Sequence, residues 1–382
     1  MKKFILVNSL MLILMNWGIF GLNRDTFVLE TGKEDGELYI PVQVKEGPDG
    51  NIYAFDAKDA FIKVYSPEGK YLRRMGGRGQ GPGEMVRLGT FGFTRDNRLF
   101  FTEMINGHRW ITFMELSGKY HQVLKLEIPG SFGIRRAKML SNNRIIAEIH
   151  FWGSSERRGN HYGLYYPRWL AIINSKGKID RIVMKRECIF SISSSPGGPD
   201  IRIPFFPEFL WDVTEDGKII FSDGAGSVLQ AYDFNGNVIE ECHSSLPEAP
   251  EVTAEDLKKW RESVKKKIVR SRGIEGYKRY FNVIEKYKQS LYQKKPIFYQ
   301  LSITPAGNIL VKSGKRMGRD QQRYYWLIDR NGNMLCQLVT NASSVTISKS
   351  FILYVTENDE GEPFVHCMIR KGDEKEDLLF FL

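Results

Sequence analysis

Few residues in this chain stand at the spacings that chemistry demands. The stretch GGRGQGPGEM, Gly76 to Met85, holds five glycines in ten residues, a composition that can cradle a phosphate. No Gly-Lys-Ser/Thr follows it, so the phosphate-loop pattern fails. Three residues after each Gly-x-Gly come Pro82, Glu84 and Val86, so the dinucleotide fingerprint fails as well. Six histidines (His108, His121, His150, His161, His243 and His366) include no pair at metal-ligand spacing. Cys188, Cys242, Cys336 and Cys367 lie far apart without a Cys-x-x-Cys, which argues against a zinc ribbon or a redox motif; one or two disulfides are open in an oxidising compartment, and four buried thiols in strands are the preferred reading. No Gly-x-Ser-x-Gly elbow is present. Nothing points to a cofactor.

One segment does concentrate charge. Residues 253–296 carry 14 Lys or Arg against 5 Asp or Glu, a net of +9, while the whole chain is +10. The basic character therefore belongs to this segment. Thr253 suits a helix N-cap, with Asp256 three residues on. Leu257, Trp260, Val264 and Ile268 fall on one stripe, and Tyr277, Tyr280, Phe281, Ile284, Tyr287 and Leu291 on a second. Gly273 and Gly276 divide the two and Pro296 ends them, so the segment reads as an αα-hairpin. Lys265, Lys266, Lys267, Arg270, Arg272, Lys278 and Arg279 are the candidate ligand-binding residues, on a face suited to an anionic partner. Binding of a polyanion there would depend strongly on salt. The competing reading is a solvated face opposite two apolar stripes.

The elements that would carry such a site follow from the rest of the chain. Lys2 and Lys3 precede an apolar run from Phe4 to Leu22, the pattern of a signal peptide or, if kept, an N-terminal anchor over residues 1–22. The body, 23–382, is expected outside the cytoplasm, periplasmic or at the cell surface, which disfavours nucleic acid as the partner of the basic segment. Within the body a unit recurs. Its first turns fall at Gly50, Asn97, Asn143, Gly217, Gly307 and Ser350, at intervals of 47, 46, 74, 90 and 43 residues. Removing 253–296 reduces the interval of 90 to 46. Each unit reads as four short strands joined by turns, and a period of forty-odd residues with that content is a propeller blade. The sequence thus predicts an all-β, six-bladed β-propeller of four-stranded antiparallel blades, with the helical hairpin between blades four and five. Either TFVLETG (Thr26 to Gly32) or the tail DLLFFL could close the ring, and the former is preferred. Two further insertions in blade three, 153–167 and 191–207, have loop composition.

The run DGNIYAFDAKDAFIKVYSPEGKYLRRMGGRGQGPGEM, Asp49 to Met85, resembles the NHL-type repeat of bacterial secreted six-bladed propellers, in which a GxGPGE-like link joins blades. The glycine stretch is then a connection between blades one and two. The resemblance also implies a place to look for catalysis. Some propellers of this kind are hydrolases, lactonases or lyases, with metal ligands at the central channel. The innermost strands here (PVQVKE, LGTFGFT, RRAKML, FLWDVT, YQLSIT and SVTIS) offer Glu46 and Asp212 and no asparagine, a thin set for a hard cation. A zinc site would need His108, His150 and His161 to converge.

The expected function is a non-catalytic binding or scaffold propeller for a protein, peptide or acidic glycan, with an anionic membrane surface as a further candidate partner. The alternative is a metal-dependent hydrolase or lyase at the channel mouth. Whether the insertions gather on one face discriminates between a single recognition site and scattered loops.

Overall fold

Alternating residues in each repeat build one blade. In the first, Pro41–Glu46, Ile52–Asp56, Phe61–Tyr65 and Tyr71–Gly76 pair antiparallel in chain order. The second strand, IYAFD, is buried at every position because both of its faces meet neighbouring blades. The outermost strand, YLRRMG, alternates between half-buried and exposed over its first four residues. Four more sheets of the same order, and one whose outermost strand comes from the N-terminal side, complete a six-bladed propeller. In the computed structural model the described residues are 26–379, apart from 31–35, 106–108, 141–142, 152–153, 159–160, 166, 187–188, 194–200, 203, 205–207, 225, 287–293, 297 and 314–322.

The core is divided among the blade junctions. Tyr53, Ile62, Phe91 and Phe101 pack between blades one and two. Phe100, Phe132 and Ile149 fill the next junction, and Ile146, Trp211 and Phe221 the one after. Three further clusters, around Phe298, Tyr325 and Phe351, complete the circle. Each large side chain taken fully from water contributes about 1.5–3 kcal/mol. A lone blade would leave both faces wet, so radial stacking supplies the stability.

The first turns predicted from sequence use left-handed backbone at the marked residues. Gly50, Gly217 and Gly307 have φ of 78°, 86° and 82°, and Asn97 and Asn143 have 58° and 55°. A pair of backbone hydrogen bonds recurs in these turns, as in Thr214 N–H to Lys218 O at 2.9 Å and Gly217 N–H to Thr214 O at 3.1 Å. This is the three-residue hairpin with a left-handed glycine.

The ring closes through the N-terminal side. Thr26–Val28 pairs with Pro363–Ile369, with Phe27 opposite Cys367, and so becomes the outermost strand of blade six. The tail instead forms a short helix, Glu374–Leu379, with Leu378 buried. Its Glu374 accepts hydrogen bonds from Ala306 N–H and Asn308 Nδ2 at 3.0 Å each, tying the helix to the first turn of blade five.

The blade-three insertions differ from expectation. They are not only loops: Ser154–Arg158, His161–Tyr165, Ile189–Ser193 and Ile201–Arg202 pair into a seventh four-stranded sheet outside the ring. Arg158 pairs with His161 across a Gly-Asn dipeptide, a hairpin signal that loop composition obscured. The helical segment between blades four and five runs Ala254–Lys286, interrupted at Gly273 with φ 72° and ψ 179°. The Lys265 ammonium lies 5.7 Å from the Tyr277 ring centre. Twelve residues of straight helix span about 18 Å, so the chain bends at Gly273.

Candidate functional site

The two faces of the propeller are unequal. Because strands alternate in direction, the connections from first to second strand and from third to fourth share one face. All of these are turns of three to five residues, from 47–51 in blade one to 348–350 in blade six. The connections from second to third strand, and from blade to blade, share the other face. That face carries the glycine link, both blade-three insertions and the helical insertion. The helix meets Ile189–Ser193 of the seventh sheet, so the blade-three insertions and the helical insertion touch.

Beneath that face, the six innermost strands surround an axial cavity of about 550 Å³. The turn after each strand sets their relative register: the backbone N–H groups of Gly47, Thr94, Leu140, Thr214, Thr304 and Ser348 each bond across it. Two residues before these positions stand Lys45, Gly92, Lys138, Asp212, Ser302 and Thr346, which form one ring about the axis. Four before stand Gln43, Thr90, Arg136, Leu210, Gln300 and Ser344. Above them, towards the face with the long connections, Val42, Arg135, Phe209 and Tyr299 line the wall.

Charge in the lower rings is predominantly positive. Asp212 accepts hydrogen bonds from Ile303 N–H and Val213 N–H, each 2.8 Å. Lys138 pairs with its Oδ1, and Arg136 lies 3.5 Å from Oδ2. Burial works to raise the Asp212 carboxyl, but Lys138 and Arg136 outweigh it and hold it below the ordinary range. Arg136 also donates to Trp211 O at 2.5 Å and Leu301 O at 3.1 Å, linking blades three, four and five. Lys45 donates to Phe91 O in blade two. Burial first, then the charges of Lys138 and Arg136, push its pKa down to about 7, with Asp212 pulling the other way. Lys138 and Arg135 remain partly open to solvent, at 38% and 46%.

The two acidic residues that sequence placed on the axis do not form a metal cage. Glu46 turns to blade six, accepting from Ser350 N–H at 2.8 Å and Ser350 Oγ at 2.6 Å. Asp212 is occupied by cations where a metal would sit. Among the described residues no group of three His, Cys, Asp or Glu gathers at metal-binding distance. His150 is buried beside Glu148, with Nε2 to Oε1 at 2.5 Å, and burial holds its pKa below the usual value. Trp211 Nε1 donates to the same carboxylate at 3.1 Å. His108 and the side chain of His161 lie outside the described residues. Cys336 and Cys367 are buried free thiols and Cys242 is a half-buried one, while Cys188 lies outside the described residues.

Of the basic hairpin set, Lys265, Lys266, Arg270 and Lys278 are exposed. The side chains of Lys267, Arg272 and Arg279 lie outside the described residues. Lys278 pairs with Glu275 at 2.6 Å, and Lys295 with Asp256 at 2.5 Å at the base of the insertion. The hairpin cations and the axial cations are separate clusters. Lys45, Arg135, Arg136 and Lys138 lie in the strands PVQVKE and RRAKML and are cations, not the oxygen ligands a hard metal would take. Aligning the six strands on their turns would have brought Lys45 and Lys138 into one ring.

The glycine link is a connection, as expected. Gly76, Gly77 and Gly83 have φ of 86°, 138° and 83°, Gly81 N–H is bonded to Glu84 Oε2 at 2.8 Å, and Met85 is buried. No helix follows it to orient a phosphate.

Comparison with known proteins places the chain by fold. It is a six-bladed β-propeller with a cation-lined axis. A protein from Bacteroides fragilis described as a candidate exported protein superposes with a TM-score of 0.50 at 11% identity, over 91% of this chain and 95% of that one. A protein described as a candidate gluconolactonase gives 0.48 at 10% identity, over 92% and 94%. Virginiamycin B lyase from Staphylococcus aureus, in a catalytically inactive form with quinupristin, gives 0.43 at 11% identity, over 91% and 99%. No family model and no curated protein matches the sequence.

Proposed function

We propose that the chain is an extracytoplasmic, non-catalytic binding or scaffold propeller that recognises an anionic partner, an acidic glycan or an acidic peptide segment of a protein, on its elaborated face. The supporting observation is the one-sidedness of the connections: every long insertion leaves the same face, and the basic helical segment is among them. A rigid ring with variable loops on one side is the usual arrangement of a recognition surface. Exposed Lys265, Lys266, Arg270 and Lys278 supply the charge. An extracytoplasmic location rests on the Lys2-Lys3 and Phe4-to-Leu22 pattern, which lies outside the described residues. None of the described helices is long and apolar enough to cross a membrane.

The test compares the full chain with a version in which 253–296 is replaced by a short linker. Each is run over immobilised polygalacturonate and neutral dextran, at low and physiological salt. The reading expects retention on polygalacturonate alone, weakened by salt and lost with the insertion. Equal retention on dextran, or retention indifferent to the insertion, would overturn it.

A further inference from the structure

The hairpin reading leaves the axial cations unexplained, and they sit in a different place. Lys45 and Lys138 share a ring with the hydroxyls of Ser302 and Thr346. An ammonium group has three donors, and each of these lysines shows one engaged, with Phe91 O or with Asp212. Glu46 is turned to Ser350, and Glu148 is held by His150 and Trp211. Asp212 therefore faces Lys45, Arg136 and Lys138 as the carboxylate of that ring, and cations outnumber it. The wall above is of another character: Val42 and Tyr299 are 49% and 41% exposed with Phe209 beside them, and the Arg135 guanidinium there lies 3.8 Å from Glu148. A polar, cationic floor under a rim that is apolar and aromatic apart from Arg135 matches a molecule with an anionic head and a less polar body. The volume of about 550 Å³ suits a small molecule rather than a polymer segment.

We infer that the axial cavity is a binding site for a small organic acid, its carboxylate held by Lys45 and Lys138 with Ser302 and Thr346, and its body against Val42 and Tyr299. Asp212 occupies the cation cluster in the ligand's absence and competes with it. The neutral fraction of Lys45 gains a proton when the acid enters, because a second anion offsets the charges of Lys138 and Arg136. The groups facing Lys45 are Lys138 and Arg136 from blade three, Asp212 from blade four, and the Phe91 carbonyl and ring from blade two. Affinity should accordingly fall as pH rises above about 7, where the free protein's Lys45 loses its proton.

The experiment is calorimetric titration of the full chain with four acids and their neutral counterparts: acetate and acetamide, lactate and lactamide, benzoate and benzamide, galacturonate and its methyl ester. Buffers of different ionisation enthalpy report proton uptake. At least one acid should bind with proton uptake, and its neutral counterpart should not. Asp212→Asn should tighten that acid, and Lys138→Met in the Asp212→Asn background should weaken it about tenfold or more, as expected for losing a charge-assisted hydrogen bond. Lys45→Gln should abolish the proton uptake. Pairing Lys138→Met with Asp212→Asn avoids a buried unpaired charge. Failure of all four acids, equal binding of a neutral counterpart, or indifference to Asp212→Asn would overturn the site. Replacing 253–296 should leave these titrations unchanged, so this site and the hairpin reading fail separately.

Discussion

The two faces of this propeller are built on opposite rules. On one, connections of three to five residues repeat the same hydrogen-bonded turn through most of the ring. On the other, the chain departs into a seventh sheet, a helical segment and a glycine-rich link. The difference shows where the fold constrains sequence. Tight turns need left-handed residues and accept little else, whereas the opposite face needs only that chain ends return to the right blade.

The largest expected effect separates ring from ornament. Trp211→Ala removes a fully buried side chain between blades three and four and should destabilise the protein by about 3–5 kcal/mol in denaturant unfolding. Replacing the whole of 253–296 should change the Tm of the ring by no more than about 2 °C. A large loss of stability from the second change would make the helical segment part of the fold.

A pair of glycines tests the same contrast more finely. A Cβ at Gly177, with φ of 78°, would lie 1.8 Å from the Lys125 carbonyl oxygen. Gly177→Ala should therefore lower global stability by about 2 kcal/mol or more. Gly273 also has positive φ, at 72°, but meets nothing within 4 Å. Gly273→Ala should strain only the insertion, by about 1–3 kcal/mol, seen as lost helical circular dichroism with an unchanged main unfolding transition.

A smaller effect concerns pH. Burial, as the leading cause, lowers Lys45 to about 7 and Lys312 to about 8, against 10.5 when free. The unfolded chain therefore binds more protons than the folded one between these values. Their contribution is present at high pH and is lost as pH falls towards 7. Stability from these two groups should rise between pH 7 and 9.5, and Lys45→Met should flatten the slope. Smallest of all, Lys278→Gln removes an exposed ion pair with Glu275 and should alter stability by less than about 0.5 kcal/mol.

Much of the ring was legible because its signals are local. Gly50, Asn97, Asn143, Gly217 and Gly307 marked turns that only a few residue types tolerate, and the six innermost strands followed from them. Of the two segments that could close the ring, the preferred one, Thr26 to Gly32, supplies Thr26–Val28 to blade six. The seventh sheet was missed because its strands come from two insertions, paired across blade three, and were read by composition. The axial cations were missed for a related reason. Lys45 and Lys138 lie 93 positions apart (45 to 138) and meet only once the blades are in register. Asp212 was found, but its meaning depends on those neighbours, which turn a candidate metal ligand into a counter-ion.

The closing strand also sets the order of events in synthesis. Thr26 leaves the ribosome early, yet its partner Met368 is made 342 positions later (26 to 368). Blades one to five can assemble as they emerge, but the last sheet must wait for a contact between the two ends of the chain. That contact is among the most non-local the molecule makes, which places ring closure late and makes it slow. Until then Pro363–Ile369 has an open edge that any extended segment can fill. A chain cut after Val28 would carry the same open edge permanently, and a peptide bearing the missing strand, or the leading strand of a neighbouring molecule, could complete blade six in its place.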